Sequence, residues 1–176
     1  ALLESELSVQ LFFRTKRRYT ALPITIEDTK PFLNVRVKQI ETEEMTLKLM
    51  IDTGASHGLL LEEESHQNVH IPSPNIPSNI GRGLGGDLKG KIGRIETLNF
   101  GDFQFKGVIA TFPESNSYLD SLKRGNIYRN GTLGGEVISR FNVIFDYSNE
   151  LLYLKKNSKY PRRFEYNISG IIIKAT

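Results

Sequence analysis

The chain of 176 residues has no cysteine. Disulfides and thiolate metal sites are therefore excluded, and the compartment is left open. No apolar run is long enough to cross a bilayer, so no membrane partner is expected. Recognisable leader features are missing too. The chain begins at Ala1 and not at Met, and an upstream leader or domain is expected to have been removed. Such a leader would suit an exported or periplasmic protein. His66 and His70 do not form the H-E-x-x-H motif of a helical zinc site, and no metal is expected. There is no Gly-x-Ser-x-Gly, and no stretch repeats another.

A large excess of either charge is missing as well, the formal net charge being only +3. Arg14, Lys16, Arg17 and Arg18 form one basic cluster, and Lys155, Lys156, Lys159, Arg162 and Arg163 another. Neither is interleaved with an aromatic platform or accompanied by a recognition motif. They read as solvated linkers, and nucleic acid is not an expected partner. At 39% hydrophobic and 10% aromatic, the composition suits a folded chain of one domain with its own core.

The informative stretch is Leu47 to Leu61, L-K-L-M-I-D-T-G-A-S-H-G-L-L-L. Met45, Leu47, Leu49 and Ile51 alternate with Thr46, Lys48 and Met50, the period of a strand with one buried face. Asp52 ends that strand. Gly54 permits a sharp turn, and the Thr53 and Ser56 hydroxyls can bond to the carboxylate or to turn amides. Asp-Thr-Gly could be an ordinary surface turn. Apolar strands on both sides argue against that.

Asp52-Thr53-Gly54-Ala55-Ser56 resembles the active-site loop of aspartic proteases, and most closely the single-motif, retropepsin-like branch. Two further elements follow in the family's order. Gly81-Arg-Gly-Leu-Gly-Gly86 resembles the family's glycine-rich flap, with Gly83, Leu84, Gly85 and Gly86 as its substrate-binding tip. Leu133-Gly134 resembles the hydrophobic-hydrophobic-Gly signature that opens a short helix behind the catalytic loop, although Thr132 stands where Ile or Val is commoner. F-N-V-I-F-D-Y-S-N-E-L-L-Y-L is similar to the closing hairpin of bacterial members, which makes Asp146 structural and not a second acid. The resemblance implies an all-β, closed-barrel fold with one short helix after Leu-Gly. It also implies an endopeptidase that needs no cofactor and acts on peptides or proteins.

Gly81 to Gly86 also matches G-x-G-x-x-G, but prolines precede it and strand-like alternation follows, so a dinucleotide site is rejected. Actin-like ATPases carry an Asp-x-Gly loop too, yet this chain is too short for their two large domains.

The remaining elements are read from pattern. Leu7–Phe13 is expected as a strand, Leu22–Ile26 as a second with Pro23 at an edge, and Phe32–Asp52 as a hairpin turning at Glu41–Glu44. Leu59–Leu61 leaves the loop as a strand. His70–Asn79, with Pro72, Pro74 and Pro77, can be neither helix nor central strand. Phe103 to Phe112 is expected as one strand, and Ser115–Arg124 as a short helix or irregular loop. Val137, Ile138 and Phe141 stripe the short helix, and Val143–Phe145 pairs with Leu151–Lys155 across Ser148-Asn149. The segment after Pro161, F-E-Y-N-I-S-G-I-I-I-K, resembles the opening strand of a PDZ-like domain. The resemblances imply domain limits of 1–21 for a strand and basic linker, 22–156 for the protease-like domain, and 157–176 for a linker and the opening of that PDZ-like domain. His57 could bond near Asp52, though a surface or supporting place is the commoner one. Asn130-Gly-Thr132 and Asn167-Ile-Ser169 are formal glycosylation sequons.

One acid is not enough for this chemistry. Two carboxyls must share a proton, one activating water while the other polarises the scissile carbonyl. The resemblance thus implies a homodimer, or pairing with a second protease-like domain. The alternative is a non-catalytic module of the same fold that binds peptides or dimerises.

Overall fold

The computed structural model describes residues 18–83, 86–114 and 127–166, with backbone alone at 81–83 and 86–88. The strand expected at Leu7–Phe13, Leu84 and Gly85 of the expected flap, Ser115–Arg124, the Asn167 sequon and most of the expected PDZ-like opening lie outside these residues.

β1 (Thr20–Pro23), β2 (Thr25–Glu27), β3 (Lys30–Lys38) and β4 (Met45–Asp52) open the fold. β5 (Leu59–Leu61), β6 (Asn75–Gly83), β7 (Gly86–Arg94) and β8 (Thr97–Phe100) follow. β9 (Phe103–Lys106), β10 (Ile109–Pro113) and β11 (Gly131–Gly134) lead to a one-turn helix, α1 (Gly135–Ile138). β12 (Phe141–Asp146) and β13 (Leu151–Lys156) close the series.

The main sheet runs β6-β7-β10-β5-β11-β4-β3-β8-β9, with β2 paired to β3, while β1-β13-β12 forms a smaller sheet. The result is the all-β, retropepsin-like fold expected, as a sheet curled into a half-barrel whose path ends at β6 and β9. β4 lies deep in it. Its alternation turns Met45, Leu47, Leu49 and Ile51 inward, all of them buried. Each fully buried leucine of this set contributes about 1.5–3 kcal/mol. The β3–β4 hairpin pairs Val37 with Met45 and Phe32 with Met50, so its register delivers Asp52 to the strand end.

Local departures from the sequence reading have simple causes. The expected strand at Leu22–Ile26 divides: β1 pairs with β13 and β2 with β3, on either side of Ile24. The strand expected through Phe103 to Phe112 divides at Gly107, whose φ of +63° few side chains tolerate. Phe141 belongs to β12 and not to the helical stripe. Pro77 lies in β6, an edge strand of the sheet, the kind of place to which a residue without an amide donor is confined. The Asp146 carboxylate, expected to be structural, accepts from the Asn149 side-chain amide at 2.9 Å.

Residues 157–166 lie against the fold. Phe164 is buried, and the Tyr160 ring packs 5.0 Å from Phe105 and 5.4 Å from Phe141. Among the described residues no helix is long and apolar enough to cross a membrane.

Candidate active site

Asp52 emerges from β4 half-buried, and the turn after it folds back over the carboxylate. The Gly54 N–H donates to Asp52 Oδ1 at 2.9 Å and the Ala55 N–H at 3.2 Å. The carboxylate is thus held in a fixed place by backbone amides. Thr53 and Ser56 were expected to offer hydroxyls; neither bonds to Asp52 among the described residues, and the turn amides serve Oδ1 in their place. No described residue bonds Oδ2. Thr53 and Gly54, next in the turn, are exposed.

A cradle supports this turn from behind. β11 runs parallel to β4 and sets Gly134 opposite Asp52. The Gly134 N–H donates to Gly58 O at 2.9 Å, the Gly135 N–H to Ala55 O at 2.7 Å, and the Glu136 N–H to His57 O at 3.3 Å. Glycine is needed here for proximity: a Cβ on Gly134 would lie 2.0 Å from His57 O, and one on Gly135 2.7 Å from Ala55 O. Thr132 is buried, and the place it takes in β11 is satisfied by the ladder to β4 and β5. Asn130 anchors the start of β11. Its Oδ1 accepts from Lys48 N–H at 2.8 Å and its Nδ2 donates to Ser65 O at 3.0 Å. Buried and fully engaged, Asn130 cannot carry a glycan, which removes that sequon.

His57 and Glu136 flank the loop. Burial pushes the His57 imidazole below its usual pKa, against the opposing pull of the Asp52 charge, so the ring is neutral near neutral pH. His57 Nε2 is buried with no hydrogen-bond partner among the described residues. Burial raises the Glu136 carboxyl above its ordinary value, with Arg140 and Arg94 pulling the other way. Both side chains border a cavity of about 370 Å³ beside the active-site loop. Its walls are Ser56 to Gly58, the β6–β7 stem at Asn79, Ile80 and Ile92, and Ile109 and Thr111 of β10, with Glu165 and Tyr166 completing them.

The glycine hairpin is real: Gly83 pairs with Gly86 and Arg82 with Asp87 across β6 and β7. No helix follows it, which removes the dinucleotide reading. Its stem and the Asp52 loop share the cavity described above. Sequence reading missed Arg94, Glu136, Arg140 and the pair Glu165-Tyr166. Only Glu136 had a local signal, its place directly after Leu133-Gly134-Gly135; the others act across distances that no motif spans.

A half-barrel whose inner strand ends in a turn-held aspartate, backed by a Leu-Gly strand and a single helical turn, is the retropepsin-like aspartic protease fold. The chain belongs to the aspartyl protease family, whose sequence model matches residues 34–137, more than half of its length. Among solved structures it is similar to a retropepsin-like aspartic protease from Rickettsia conorii, with a TM-score of 0.53 and 19% identity over 77% of this chain and 90% of that one. No curated protein matches it.

Proposed function

We propose that this protein is an aspartic endopeptidase in which two Asp52 carboxyls, one from each of two paired copies, activate a water for attack on a peptide bond. The observation that carries the reading is the holding of Asp52: one carboxylate oxygen accepts two backbone N–H groups while the other is left open. Two such carboxyls across a two-fold axis cannot both be ionised at close range, so they share a proton. The ionised member takes a proton from water as its oxygen attacks the scissile carbonyl. The neutral member donates to the carbonyl oxygen, giving a tetrahedral diol whose collapse releases the amine with a proton from the pair. The Gly83–Gly86 hairpin is the flap, closing over the peptide and excluding water while chemistry proceeds. Ala55 contributes its amide where a hydroxyl residue would add a second donor.

Cleavage of a peptide mixture by the purified chain tests this directly, with Asp52→Asn as the control. The asparagine still accepts from Gly54 and Ala55, so folding should be retained while cleavage falls by roughly 10²–10⁴-fold or more. Activity should follow a bell in pH with an acidic to mildly acidic optimum, and a transition-state mimic with a hydroxyl between the carboxyls should inhibit where a chelator does not. Sedimentation should find the active form paired. Undiminished cleavage by the asparagine variant would overturn the mechanism. No cleavage by a paired, folded parent would leave the reading as a non-catalytic peptide-binding module.

A further inference from the structure

The cavity beside the active-site loop combines an apolar wall with two carboxylates. Ile92 and Ile109 come from β7 and β10, and Ile80 comes from the irregularity in register between Asn79 and Gly81, a device that re-aims a side chain. Glu136 enters from α1 and Glu165 from the segment beyond β13. We infer that this cavity is the subsite for a substrate side chain with a long apolar stem and a cationic end, a lysine or arginine of the bound peptide, and that Glu165 is a specificity-determining residue. The inference rests on the peptidase reading, and Glu165 lies outside the segment that the family model matches.

Charge at the site is unevenly compensated. The Arg140 guanidinium is 3.9 Å from Glu136 Oε1, but its nitrogens are spent on backbone carbonyls, those of Lys159, Arg162 and Arg163 among them. Arg94 likewise donates to Gly107 O at 2.6 Å and Phe164 O at 3.0 Å. Burial still dominates at Glu136 and disfavours its charge, a cost that an incoming cation would offset. Glu165 has no ion-pair partner among the described residues, and the neutral His57 ring does not compete for it. A carboxylate entering here would meet the unpaired charge of Glu165, and a purely aliphatic side chain would strip water from it without replacing it. The volume falls within the range of about 300–1,000 Å³ usual for ligand pockets.

Glu165 is also firmly presented. Its neighbour Phe164 is buried under the Arg140 guanidinium at 3.7 Å, and the Arg94 guanidinium lies 5.0 Å from the centre of the Tyr166 ring. Arg94 belongs to the stem of the glycine hairpin, so the acid and the hairpin are fastened to each other.

The test uses the full chain as Asp52→Asn, which reads binding independently of hydrolysis. Fluorescent peptides scanned one position at a time with lysine, norleucine or glutamate are titrated by anisotropy. At one position lysine should bind roughly five- to tenfold tighter than norleucine, and glutamate weakest. Adding Glu165→Gln should bring the lysine-to-norleucine ratio close to one, and Glu165→Lys should favour glutamate. Because Glu165 is exposed, melting should be little changed. No lysine preference at any position, no binding of any peptide, or a preference untouched by Glu165→Gln would overturn the subsite. Equal affinities together with cleavage by the parent would sink the subsite and keep the peptidase. A lysine preference without cleavage would do the reverse.

Discussion

Gly134 stands opposite Asp52 in the parallel ladder of β4 and β11, and a Cβ built on it would lie 2.0 Å from the carbonyl oxygen of His57. The backbone of the Asp52 loop and the Leu-Gly strand therefore touch at a distance that only hydrogen permits. Backbone, unlike the end of a flexible side chain, cannot move aside without displacing the loop. Gly134→Ala is expected to destabilise by about 1–3 kcal/mol. It should also abolish cleavage in whatever fraction remains folded, as urea titration and a peptide assay would read. Gly135→Ala, with its nearest backbone contact at 2.7 Å, should do less of each.

The glycine hairpin should show a division between tip and stem. Gly83, Gly85 and Gly86 changed together to alanine should lower kcat while leaving the melting temperature near the parent's, because mobility and not packing is their proposed role. At the stem, a Cβ on Gly90 would lie 2.4 Å from Phe112 O and one on Gly93 2.4 Å from Pro72 Cγ. Gly90→Ala and Gly93→Ala should therefore cost stability first, about 1–3 kcal/mol for the backbone clash at Gly90. A tip variant that unfolds, or that cleaves at the parent rate, would overturn the flap assignment.

Two groups beside the loop should oppose each other in pH. His57 has a lowered folded pKa, so its neutral form contributes stability that is present above its ordinary 6.5 and is lost as pH falls through the folded value. Glu136 has a raised folded pKa, so its contribution is present below its ordinary 4.5 and is lost as pH rises through the folded value. Each proton changes stability by at most about 1.4 kcal/mol per pH unit. Denaturant titrations across this range should find Glu136→Gln losing stability more steeply than the parent on acidification. His57→Asn should be flatter on the acid side, and identical slopes in all three proteins would refute both assignments.

Arg140 is a buried cation whose nitrogens reach the carbonyls of the segment after β13, with Phe164 stacked beneath it. Arg140→Met removes those bonds and leaves several carbonyls without partners, and should cost about 2–4 kcal/mol. Limited proteolysis should then cut within residues 157–166, which the parent protects. Arg140→Lys should rescue little, since an ammonium cannot span several carbonyls or stack on the ring.

Much of the fold and the heart of the site were legible in the sequence because they are carried by local patterns. Strict alternation from Met45 to Ile51 requires a half-buried strand, and a Gly two positions after its terminal acid requires a tight turn. Pro77 confines its segment to an edge, and Gly83 to Gly86 tolerates a hairpin tip. The Leu133-Gly134 pair marks a close approach before any partner is known. Tertiary structure alone decided the rest, since it depends on contacts between residues distant in the chain. Ile24 divides one apolar run between two sheets. The backbone amides of Gly54 and Ala55, and not the hydroxyls of Thr53 and Ser56, hold the carboxylate. Arg140 is committed to a segment some twenty residues downstream. Glu165 reaches a cavity whose other walls come from distant strands and loops, Ser56 to Gly58, the β6–β7 stem and β10 among them, a placement set by packing and not by spacing.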